Sequence, residues 1–156
     1  MDWLHTLRWV HIIGATVLLG TGVGIAFFML MAHRTRDAAL IAHVASTVVI
    51  ADMLFTATVV VVQPVTGVVL AQLVGWSLST PWILLSLALY VLTGLCWLPV
   101  VLIQTRIRDL AKEALACQRP LDDRYDRQFR LWLLLGFPAF GSVLAIIWLM
   151  VARPTF

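Results

Sequence analysis

Four long apolar runs, Trp9–Ala32, Ile41–Val62, Trp82–Ile103 and Leu131–Val151, alternate with polar segments along the chain. Each reaches the ~20 residues that a helix needs to cross the hydrocarbon core of a bilayer. The pattern predicts an all-α fold, a bundle of four antiparallel transmembrane helices that forms one integral membrane domain over residues 1–156. The expected helices cover residues 9–32, 41–74, 82–116 and 124–151.

Two of these helices run past their apolar segments. The second continues through Gln63-Pro64-Val65-Thr66-Gly67 to Val74, with a kink or broken turn expected near Pro64, which cannot donate a backbone hydrogen bond. Pro99 is expected to kink the third helix in the same way. The connector from Gln104 to Arg130 repeats Ile107, Leu110, Ala111, Ala114 and Leu115 at helical spacing among charges. It should form an extended helical hairpin, broken at Arg119-Pro120-Leu121, with Asp122 or Asp123 capping the last helix.

Composition agrees with the pattern. The chain is 62% hydrophobic and 12% charged, more apolar side chain than a soluble domain of 156 residues can bury. The flank Met1–Leu7 lacks the basic segment of a cleavable signal peptide, so the first run reads as a true span. Cys96 and Cys117 fall in different environments and in no metal-ligand spacing.

The net charge of +3 gains meaning from its position. Arg34 and Arg36 follow the first run. Arg106, Arg108, Lys112, Arg119, Arg124, Arg127 and Arg130 lie between the third and fourth, so nine of eleven basic residues share one face. The positive-inside rule makes that face cytoplasmic and places both termini outside, in the inner membrane of a bacterium. Trp3, Trp9, Trp76, Trp82 and Trp148 mark the outer boundary and Trp132 the inner one. This distribution points to a bilayer and excludes nucleic acid as a partner.

Counting depth along the helices sorts the polar interruptions into layers. Asp52 falls near the midplane, level with Thr21, Tyr90, Thr93 and Ser142 and with no Lys or Arg at that depth. A charged Asp there costs ~2.5–3.5 kcal/mol on insertion scales. It must be protonated, hydrogen-bonded to those hydroxyls, or matched by a cofactor or ion. It is therefore a candidate proton group, or a polar contact that joins helices.

A second layer lies near the outer face. His11 shares a stripe with Gly14 and Gly22, an arrangement that admits a haem b: the imidazole would ligate the iron and the glycines would leave room for the ring. Met150 matches His11 in depth as a sixth ligand, and Gln63 is another polar group at that level. The bland alternative is an interfacial histidine with glycines serving helix packing. His43 sits near the opposite face, too far to share an iron with His11. His33 and His43 are expected to face solvent. Gly20 and Gly24 leave another side of the first helix open to a protein partner or a second copy.

The stretches W-V-H-I-I-G-A-T-V-L-L-G-T-G-V-G, A-D-M-L-F through Q-P-V-T-G, and P-W-I-L-L-S-L-A-L-Y-V-L-T-G-L-C-W-L-P-V-V-L-I-Q resemble a bacterial family of predicted integral membrane proteins known only as a domain of unknown function. More distantly, His11 and Gly20 resemble the early helix-one pattern of HemJ-type protoporphyrinogen oxidases and CopD-type copper-resistance proteins. That resemblance implies haem binding through His11. The HemJ-type lysine in helix three is missing, so the oxidase activity is not implied. The leading expectation is a haem-binding, redox-related inner-membrane protein. Its rivals are a non-enzymatic subunit or assembly factor that binds proteins through Gly20/Gly24 or the hairpin, and a small proton-coupled transporter working through Asp52.

Overall fold

The computed structural model describes residues 3–155. Among them every regular element is helical: α1 (Trp3–Thr35), α2 (Ala38–Ala51), α3 (Ala57–Val74), α4 (Pro81–Ala116) and α5 (Asp123–Ala152). A π-helical turn over Asp52–Thr56 joins α2 to α3, so the second span is continuous from Ala38 to Val74. The chain thus has four helices long and apolar enough to cross a membrane.

Local chemistry sets the ends of these helices. Asp37 caps α2 by accepting the N–H groups of Ala39 and Leu40, at 2.8 and 3.3 Å. Asp122 does the same for α5 through Arg124 and Tyr125. Gly75 ends α3 in the left-handed conformation, and the Trp76 N–H turns back to the Ala71 carbonyl at 2.8 Å. Pro81 opens α4 at a position where a missing N–H costs nothing.

Of the kink or broken turn expected near Pro64, the broken turn does not occur. Pro64 lies inside α3, and the irregularity falls earlier, at the π turn that begins with Asp52. Pro99 is likewise inside α4 and does not end it. A helix in a low-dielectric surround has no alternative partners for its backbone, so it continues through proline wherever a neighbour satisfies the freed carbonyl.

The most extensive contacts join α4 to α5 and α2 to α4, while α3 packs mainly on α1. The buried apolar core is asymmetric. Its main part fills the basic end, where Ile25 and Met29 meet Ile41, Ala45, Ile103, Ile107, Ala111 and Phe129. Ala45 and Ala111 have no exposed surface, so the helices approach closely there, as lipid-embedded helices do through small residues. At the terminal end a smaller group of Trp82, Ile83 and Leu149 closes the bundle. The large exposed side chains, among them Phe27, Val61, Leu95, Leu134 and Phe137, are apolar and suit a surround of lipid tails.

Enlarging the close contact should loosen the bundle. Ala111→Leu is expected to cost ~1–3 kcal/mol, seen as a lower thermal midpoint in detergent. Ala26→Leu, on an exposed side of α1, should leave the midpoint unchanged.

Candidate functional site

The second span carries a buried polar stripe. Asp52, Thr56, Val59, Gln63 and Thr66 follow one another at separations of four, three, four and three residues. This spacing keeps one narrow face turned inward. Asp52, Thr56, Gln63 and Thr66 are only 3%, 8%, 7% and 7% exposed. Asp52 opens the π turn, and its carbonyl accepts the N–H of Ala57 five residues on. Such an inserted residue is common where a helix must re-aim side chains at a functional position.

At the terminal end of the stripe α1 and α3 exchange side chains across two glycines. A Cβ on Gly67 would lie 3.2 Å from His11 Cε1, so the imidazole packs closely on the glycine and would have to give by a few tenths of an ångström to admit a methyl group. A Cβ on Gly14 would lie 3.1 Å from Val59 Cγ1 and 3.2 Å from the Gln63 amide. Each helix thus lodges a polar side chain against the other's glycine. His11 Nδ1 is 2.7 Å from Thr66 Oγ1. The Thr66 hydroxyl also lies within hydrogen-bonding distance of the Val62 and Gln63 carbonyls, at 2.8 and 3.1 Å. With its proton on either carbonyl the hydroxyl accepts from His11 Nδ1–H, and Nε2 then carries the ring's lone pair. Nε2 has no hydrogen-bond partner among the described residues. Gln63 Oε1 is buried without a partner.

Two side chains of α4 tie that helix to the stripe. Pro64 has no N–H to offer the Val60 carbonyl one turn earlier, and the Tyr90 hydroxyl donates to that carbonyl. Nearer the middle, Trp97 Nε1–H donates to Asp52 Oδ1 over 3.4 Å. No cation pairs with Asp52 among the described residues.

The expected hydroxyl layer around Asp52 needs correction. Thr93 donates to the Leu89 carbonyl of its own helix and Tyr90 to Val60, so neither serves the carboxylate. Helical Ser and Thr readily satisfy themselves on the carbonyl four residues back. Ser142 is buried and Thr21 half-buried, without a bond to Asp52. The residue that does reach Asp52, Trp97, is a half-buried indole on the third span.

The proposed haem surroundings are partly dispersed. His11 meets the requirement for an axial ligand, with one ring nitrogen anchored and the other free. Gly14 supplies no slot, because Gln63 and Val59 fill it. Gly22 faces open space, as do Gly20 and Gly24. Met150 packs with Trp82, Ile83 and Leu149. Sequence reading missed Thr66 and Gly67 as partners of His11. The four-three spacing on the second run was the signal that would have found Thr56 and Thr66.

A second cluster ties the basic ends together. The His33 ring stacks on Phe129 with centroids 3.7 Å apart, and its Nδ1 lies 3.0 Å from the Tyr125 hydroxyl. Arg36 holds Asp126 through two bonds of 2.5 and 3.0 Å, and the carboxylate raises the Arg36 pKa further. His33 is therefore half-buried in a clasp between α1 and α5 and does not face solvent as expected, whereas His43 is exposed. The aromatic rings of α5 create that environment, and they lie about ninety residues away in sequence.

Two outcomes test this geometry. Tyr90→Phe should strip the Val60 carbonyl of its partner and cost ~1–3 kcal/mol. Pro64→Ala restores a backbone donor, so the double variant should lose much less than the sum in thermal unfolding. Gly67→Ala should press on the His11 ring and lower the thermal midpoint, whereas Gly22→Ala should not.

No curated protein and no solved structure matches the chain. The likeness to HemJ-type and CopD-type proteins therefore gains no support from comparison. A family model described as a predicted integral membrane protein (DUF2269) matches residues 5–154, nearly the whole chain, and the chain belongs to that family.

Proposed function

We propose that this membrane protein handles protons within the bilayer, with Asp52 as the group that gains and loses a proton and the polar stripe toward His11 as its route. The observation that carries this reading is the burial of Asp52 at 3% exposure, with an indole N–H as its side-chain donor and no cation paired with it among the described residues. A carboxylate so enclosed costs several kcal/mol unless a proton neutralises it. Asp52 also begins the π turn, where the helix is least regular. From there Thr56, Gln63 and Thr66 lead to His11 in steps of one or two turns. Gln63 Oε1 is a buried acceptor without a partner, the kind of group that an internal water serves. Such waters bridge hydroxyl, amide and imidazole groups and pass protons between them.

The test is proton movement into sealed vesicles under a pH gradient, followed with a pH-sensitive dye. Asp52→Asn should abolish the signal and Thr66→Val should slow it. Wild-type rates in Asp52→Asn would refute the reading.

A second reading keeps His11 as the axial ligand of a haem b, favoured by its anchored Nδ1–H and its free Nε2. The bound haem would supply one-electron chemistry, and Thr66 would hold the imidazole orientation. A Soret band in the purified protein that disappears in His11→Ala is the expected result, and a colourless protein removes this reading.

The basic end is assigned to the cytoplasm of a bacterial inner membrane by its charge. Cys117 is exposed at that end, and Cys96 is buried. A membrane-impermeant maleimide should label Cys117 only after the cells are permeabilised.

A further inference from the structure

Beyond the apolar runs, α4 and α5 continue as a hairpin that encloses a groove of about 480 Å³. Arg106, Asp109 and Glu113 line it from α4, and Arg124, Arg127 and Gln128 from α5. Charge accounting across the groove leaves an imbalance. Asp109 is held by Arg108 at 2.8 Å, and Glu113 by Arg119 at 2.5 Å and Arg124 at 3.5 Å. Arg124 also binds Asp122 at 2.9 Å. Arg106 and Arg127, from opposite walls, have no carboxylate partner among the described residues.

Depth identifies the layer that these two arginines occupy. Arg106 lies three residues past Ile103 and Arg127 four before Leu131, or ~4.5–6 Å of helix beyond the apolar runs. The polar layer on each side of a bilayer is roughly 5–7 Å thick, so helices that cross it along these apolar runs would carry both arginines into the headgroup layer. Leu110 adds an apolar contact to the same groove. Gln128 lines the same wall, and its side-chain NH₂ is a donor that a phosphate oxygen can accept.

We infer that this groove binds the phosphodiester headgroup of an anionic membrane lipid, gripped by Arg106 and Arg127 from opposite helices and by the Gln128 amide. Guanidinium forks match phosphate oxygens in pairs, and a cavity of this size accommodates a headgroup. The bound lipid would brace the hairpin at the membrane surface. This inference is independent of the proton route, which lies elsewhere in the bundle.

The experiment measures lipid retention by the full chain in detergent, read by native mass spectrometry during titration with phosphatidylglycerol or phosphatidylcholine. Wild-type protein should retain phosphatidylglycerol preferentially. R106Q/R127Q should lose on the order of ten-fold in affinity per arginine. R34Q/K112Q removes the same charge from the same end outside the groove and should retain the lipid as wild type does. Equal losses in the two double variants would show a diffuse charge effect and overturn the site, as would unchanged retention in R106Q/R127Q. A parallel titration with inorganic phosphate separates the sources. Binding of free phosphate as tight as that of the lipid would reassign the groove to a soluble anion and overturn the lipid proposal. Unchanged helicity by circular dichroism in each variant attributes a loss to the groove itself.

Discussion

Hydrocarbon offers no hydrogen bonds, so each polar group that this chain carries into the membrane must find its partner inside the protein. Most of the bundle's specific geometry follows from that constraint. Pro64 is the clearest case. It leaves the Val60 carbonyl without its usual donor, and Tyr90 reaches across from another helix to serve it. A defect in one helix thereby becomes a point of attachment between two. The same logic places the His11 imidazole on Thr66 and the Trp97 indole on Asp52.

The constraint also divides the bundle into two kinds of interior. The basic half is held by close apolar packing around Ala45, Ile107 and Ala111. Toward the terminal end the buried face of the second span is polar, with Thr56, Gln63 and Thr66 in sequence. The π turn lies at the junction, immediately after the last α-helical residue of α2. An extra residue there lets one helix present an apolar face on one side of the junction and a polar face on the other. The reciprocal glycines, Gly14 and Gly67, then allow α1 and α3 to lodge Gln63 and His11 between them. The proton route proposed for the protein runs through the half that apolar packing does not fill.

The helices, their order and the aspartate cap of the last one were legible because length, hydropathy and capping are local properties, whereas the Asp37 cap was not read. The last helix, α5, begins at Asp123, one residue from the expected start, because Asp122 caps it as its position in sequence suggests. Asp52 and His11 were legible as exceptions, since an ionisable group in an apolar run stands out without any knowledge of its neighbours. Their partners were not. Thr93 lies at a plausible depth for Asp52 yet turns to Leu89, and depth alone does not reveal rotation about the helix axis. Gly14 reads as empty space in a sequence, but the facing helix fills it.

By itself the sequence determined that the chain has four helices long and apolar enough to cross a membrane, and that charge gathers at one end. These follow from the solvent each segment requires, which a single helix already expresses. Only the tertiary structure decided that the second span stays unbroken at Pro64 and bulges at Asp52, that Thr66 is the partner of His11, and that His33 is enclosed by rings from α5. Those outcomes depend on how each helix is turned toward its neighbours. That rotation is settled by which polar groups satisfy one another across the interfaces, and no single helix contains both partners.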